Sequence, residues 1–181
     1  MILKTAFIIS LLLCVPVLTP AQVYPSPEGE LESKYDRFTD QRKIGLYYLQ
    51  IAEKNRNNDL NPLTLYISLA AVYRSGVKPE PPAFVTVLFE GWTLWDYEFS
   101  QPVALDAIID GKRKSYGFVP VLRNTVVNGK YVSTVGGNMA YSDFQELLKA
   151  KTVEMRVGEI ELQLTDKMQT RLRDFASMIT P

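Results

Sequence analysis

Residues 104–135 read ALDAIIDGKRKSYGFVPVLRNTVVNGKYVSTV. Two dipeptides, Asp110-Gly111 and Asn128-Gly129, sit between runs rich in Val, Ile, Leu, Thr, Tyr and Phe. Both readily take the positive φ angles of a tight type I′ turn, so each marks a hairpin. Strands are expected at 104–109 and 112–117, and again at 121–127 and 130–135. Two hairpins in series point to an antiparallel, mostly β protein.

Upstream the same residue types recur in short segments, and strands are expected at 34–39, 44–52, 64–73, 83–90 and 95–100. The polar stretch between Glu53 and Asn61, and Lys78 to Pro82 with its three prolines, should be surface loops. No internal repeat is visible. Downstream the pattern changes. Ser142-Asp143-Phe144-Gln145 fits a capping box, and Phe144, Leu147 and Leu148 share a face, which predicts a short helix over 142–150. Gly158-Glu159 is a two-residue turn whose register sets Val157 opposite Ile160, Met155 opposite Leu162 and Arg156 opposite Glu161. Met168, Leu172, Phe175, Ala176 and Ile179 then fall at helical spacing, predicting an amphipathic helix over 166–179, capped by Thr165 and packed on the sheet. The expected fold is one mainly-β domain over 34–181, an antiparallel β-sandwich with these two helices. A more closed barrel around a ligand cavity is the alternative.

The N-terminus reads as an export signal. Lys4 precedes an apolar run from Ala6 to Leu18, and Thr19-Pro20-Ala21 offers small residues for cleavage after Ala21. That run is too short to span a bilayer comfortably, so no transmembrane helix is expected in the mature chain. Residues 22–33 read as a linker or disordered lead-in. Cys14 follows three leucines, but Leu13 is too large for a lipobox, so lipid anchoring is not expected. The protein should act in the periplasm or outside the cell.

Composition closes several chemistries. The 181 residues include no histidine and one cysteine, Cys14, which excludes a Ser-His-Asp triad, a Cys-His pair and imidazole-ligated metals. Twenty basic residues balance 20 acidic ones, so charge gives no argument for nucleic acid or an anionic membrane. Val135-Gly136-Gly137-Asn138 lacks the lysine of a P-loop and the spacing of a dinucleotide fingerprint, and reads as a relaxed link before the helix at Ser142. No EF-hand spacing occurs. Neither a cofactor nor a metal is expected.

Three side-chain groups remain as candidates. Trp92, Trp95, Tyr97 and Phe99 form an aromatic cluster; in a strand, the last three share one face and serve either as a ligand platform or as core. Core is the favoured reading, since sandwich strands pack one face inward. Asp96 and Glu98 share the opposite face, roughly 7 Å apart at strand rise, within the range of an inverting glycosidase's carboxylates. Lys112, Arg113 and Lys114 are the densest basic run and read as a solvated hairpin end.

Tyr35-Asp36-Arg37-Phe38, Trp95-Asp96-Tyr97, Asp110-Gly111, Val153-Glu154 through Leu164 and Leu172-Arg173-Asp174-Phe175-Ala176-Ser177 form a pattern over most of 35–177. It resembles a group of exported bacterial domains of uncharacterised function. The resemblance implies a bacterial, exported, single-domain protein and transfers no catalytic residue. The functional expectation is a non-enzymatic binding or structural domain, acting on a protein or glycan partner through a strand edge or loops. A glycan hydrolase using Asp96 and Glu98 is the alternative, and a barrel carrying an apolar small molecule is a third reading.

Overall fold

The computed structural model describes residues 26–56, 61–74 and 81–179. The expected signal segment, residues 22–25 of the lead-in and parts of both polar loops lie outside these. In chain order the elements are β1 (Glu28–Asp36), β2 (Gln41–Arg56), β3 (Asn61–Arg74), β4 (Phe84–Thr93), β5 (Val103–Ile109), β6 (Lys112–Val119), β7 (Val121–Val127), β8 (Lys130–Ala140), α1 (Tyr141–Lys149), β9 (Val153–Val157), β10 (Ile160–Gln163) and α2 (Asp166–Ile179). The strands form two antiparallel sheets, one ordered β1-β2-β3-β4-β8-β7 and the other β10-β9-β5-β6. This is a β-sandwich.

Period-two patterning builds the space between the layers. Leu63, Leu65, Ile67 and Leu69 of β3 point inward beside Val85, Val87 and Phe89 of β4, all buried. Facing them are Leu105, Ala107 and Ile109 of β5, Val153, Met155 and Val157 of β9, and Ile160 and Leu162 of β10. Each large side chain so buried contributes about 1.5–3 kcal/mol. The helices complete the second layer, α2 against β2 and β1, and α1 against β4 and β8. A void between the layers, lined by Ile67, Val87, Phe144 and Met155 among others, measures ≈ 10 Å³, room for about one water. The interior is filled by side chains, so the barrel with a ligand cavity is set aside.

The chain crosses between sheets three times, the last time through α1, between β8 and β9. Pro120 alone separates β6, an edge of the smaller sheet, from β7, an edge of the larger. Its carbonyl accepts the Gly136 N–H at 3.2 Å, which stitches the sandwich along that side. The first crossing along the chain is the segment 94–102, expected to contain a strand at 95–100. It is irregular. The β4–β8 ladder ends at Thr93 opposite Tyr131, and side-chain bonds replace it. The Thr93 hydroxyl donates to the Asp96 carbonyl, and the Leu94 N–H donates to Asn61 Oδ1 at 3.0 Å.

Both type I′ turns form as their dipeptides require, with positive φ at Asp110, Gly111, Asn128 and Gly129. The β9–β10 register is the expected one, with Val157 opposite Ile160, Met155 opposite Leu162 and Arg156 opposite Glu161. Three other expectations change. The lead-in ends early, because β1 starts at Glu28; its ladder to β2 fixes a strand whose side chains bury little. The capping box at Ser142 does not form. Helix α1 starts one residue sooner, its Tyr141 N–H donating to the Ala83 carbonyl without a side-chain cap. The glycines at 136 and 137 lie inside β8 rather than in a link. A Cβ at Gly136 would stand 2.3 Å from the Val87 carbonyl oxygen, so glycine there permits close approach of the neighbouring strand.

Candidate functional site

The loop 94–102 separates the residues singled out from sequence. Trp95 is 68% exposed and Phe99 is 2% exposed, so no common aromatic face exists. Phe99 enters the core and its N–H donates to Ser133 Oγ at 3.0 Å. Tyr97 packs edge-on against Tyr131, with ring centroids 5.2 Å apart. Asp96 Oδ1 accepts from Asn61 Nδ2 at 3.3 Å. Glu98 lies along β4, where its Cβ would be 2.7 Å from a Cβ built on Gly91. The strand spacing on which the paired-carboxylate reading rests is therefore absent.

Trp92, by contrast, stays in β4 and points to the outer face of the larger sheet. A β-bulge in β2 gives Tyr48 a φ of 58° and turns its ring toward Tyr66. Tyr48 and Tyr66 meet edge-on at 6.4 Å, and Tyr66 and Trp92 at 5.9 Å. Tyr66 and Trp92 are both buried, so the row packs on itself as a brace across β2, β3 and β4. Beside it, Glu90 accepts the Trp92 indole N–H at 3.4 Å. Burial pushes its carboxyl above the usual range, opposed by the Trp92 bond and the charge of Arg123.

A concavity lies elsewhere, on the outer face of the β10-β9-β5-β6 sheet. It measures ≈ 440 Å³, within the range of ligand sites. Strand registers place two cross-strand rows there. One runs Ser115, Asp106, Arg156, Glu161; the other runs Arg113, Ile108, Glu154, Gln163. Asp106 is the anchor. Its carboxylate accepts from Arg156 Nη2, and Arg113 Nη2 stands 3.8 Å away. The Arg156 bond foremost, then Ser115, hold the Asp106 carboxyl below the ordinary carboxylate range. Arg156 is tied to Asp106 and Arg113 leans within ion-pair range of the same carboxylate, while the second row sets Arg113 at one end and Glu154 two strands away, their backbones roughly 10 Å apart. Ile108, 40% exposed, forms an apolar floor between them.

Sequence reading reached only part of this site. The Arg156–Glu161 pairing follows from the hairpin, and Arg113 belongs to the recognised basic run. Asp106, Ile108 and Glu154 were missed because the β5–β9 pairing joins strands 50 residues apart, as the Asp106–Arg156 separation shows. The available signal was Asp106 itself, the one charge in VALDAII. The basic run is also less solvated than expected, since Lys114 Nζ pairs with Asp143 at 2.8 Å and with Glu146, both on α1.

Among the described residues no three His, Cys, Asp or Glu side chains gather as metal ligands, and no helix is long and apolar enough to cross a membrane. No family model, curated protein or solved structure matches the chain.

Proposed function

We propose that this chain is an exported, non-enzymatic binding domain, and that it binds a short peptide segment across the open face of the β10-β9-β5-β6 sheet. The observation that carries this is the ≈ 440 Å³ concavity with Ile108 between Arg113 and Glu154. Such a floor suits a short segment with an acidic residue, an apolar residue and a basic residue in succession. The acid meets Arg113, the apolar side chain covers Ile108, and the base meets Glu154 and Glu161. Export is supported by the signal-like residues 1–21, and the non-enzymatic reading by the lack of histidine and of any thiol beyond Cys14.

The probe is the blocked tripeptide acetyl-Asp-Leu-Lys-amide, titrated calorimetrically into the full chain. It should bind with a submillimolar Kd, about −4 to −6 kcal/mol, while the Asp-Leu-Asp and Lys-Leu-Lys counterparts bind at least tenfold more weakly. Arg113→Glu, whose side chain is 72% exposed, should reverse that preference without unfolding the sheet. Equal binding of all three peptides, or none by the first, would overturn the reading.

A further inference from the structure

The two edges of the larger sheet carry opposite charge. Edge strand β1 holds Glu28, Glu30, Glu32 and Asp36 against Lys34 alone. At the opposite edge, β7 carries Arg123 and its neighbour β8 carries Lys130, and neither strand holds an acidic residue. Net neutrality of the chain hides this polarity.

The edges also differ in how they meet solvent. Charged side chains on an edge strand oppose pairing with a like edge, and β1 is protected in this way. The four-residue β10 is protected by its shortness. Strand β7, VLRNTVV, has one charge, Arg123, and leaves Leu122 and Val126 54% and 53% exposed. Phe118, just before the sheet crossing, is 77% exposed. In the sheet order β7 bonds to β8 on one side and ends the ladder on the other.

Strand direction completes the match. Every neighbouring pair in this sheet is antiparallel, and the sheet has six strands, so β1 and β7 run in opposite directions. A second copy displaced along the sheet, with the usual twist between strands, therefore brings its β1 antiparallel to β7 with outer faces on the same side. One register matches both charge and face. Setting Arg123 opposite Glu32 of the next copy also sets Thr125 opposite Glu30 and Asn124 opposite Leu31. Arg123 and Thr125 face outward with Thr134 and Val132, and Glu30 and Glu32 with Tyr47 and Gly45, so like faces meet. Helix α2 leaves this part of β1 accessible, since Lys167 and Arg171 hold only Glu28 and Gly29.

We propose that β7 of one copy pairs with β1 of the next, so that the protein assembles head to tail through a continuous sheet. The contact is heterologous, uses different surfaces on each copy, and does not close on two copies. It lies on the other sheet from the peptide site and is independent of it.

Sedimentation velocity of the full chain at rising concentration tests this. Wild type should grow beyond a dimer. Arg123→Glu alone should drop to monomer, as should the double variant Glu30→Lys/Glu32→Lys, because each sets like charges across the contact. An equimolar mixture of the two should grow again, since wild-type β7 then meets wild-type β1 and the reversed edges also match. Val126→Glu, an exposed position, gives a second break at β7, and unchanged melting temperatures show that the variants fold. All carry the same N-terminal segment, so association through it would persist in every sample. A wild type that stays monomeric overturns the proposal. So does a Glu30→Lys/Glu32→Lys variant that assembles as wild type does, which would mean that β7 pairs with itself. Failure of the mixture to regrow also overturns it.

Discussion

Glu90 shows at the scale of one side chain what a packed outer face costs. Its carboxyl sits against Trp92 on the β4 strand, and desolvation disfavours the charged form more than the Trp92 bond and Arg123 restore it. A folded-state pKa above the unfolded one means that the ionised carboxylate weakens the fold. That loss sets in as pH rises from the ordinary carboxylate value and is complete above the raised one. Glu90→Gln keeps the shape and cannot ionise. Its melting temperature should exceed that of wild type at pH 7, and the gap should vanish near pH 4. A gap unchanged with pH would show that the carboxyl is solvated. Single residues were the least legible level of the sequence. The aromatics at 92, 95, 97 and 99 have similar chemistry, and only tertiary structure makes one a brace, one a surface residue and one core. Asp106 likewise acquires its partner from a strand far along the chain.

Elements were more legible where local chemistry fixes them. The dipeptides Asp110-Gly111 and Asn128-Gly129 specify their turns without help from elsewhere, and Thr165 caps α2, its Oγ1 accepting the Met168 N–H at 3.4 Å. Segment 95–100 failed because alternation signals a strand only if a partner continues beside it, and the ladder of β4 with β8 ends at Tyr131. The lead-in failed in the opposite sense, since β2 supplies a partner for a stretch rich in glutamate. Helix α2 is the element on which the second layer depends. Leu172, Phe175, Ala176 and Ile179 are buried along one face, and Phe175 meets Phe144 of α1 edge-on at 5.8 Å. Arg173 Nε donates to the Leu148 carbonyl at 3.1 Å, closing the end of α1. Phe175→Ala should therefore destabilise by about 3–5 kcal/mol in a chemical denaturation series, with both helices lost in one transition. Loss of α2 alone, with α1 retained, would contradict this coupling.

For the whole molecule, two sheets divide the surface into regions of different use. The outer face of the larger sheet is occupied by its own aromatic row, its edges are oppositely charged, and the outer face of the smaller sheet is concave and polar around Ile108. That concave face offers room between Arg113 and Glu154, and on it rests the proposal that the chain binds a peptide. Isotope-labelled full chain titrated with acetyl-Asp-Leu-Lys-amide, and followed by amide NMR shifts, tests that claim most directly. The predicted result is saturable movement of the amides of Asp106, Ile108, Arg113, Glu154 and Arg156. Shifts confined to 94–102 or to β7, or no shifts at all, would contradict it.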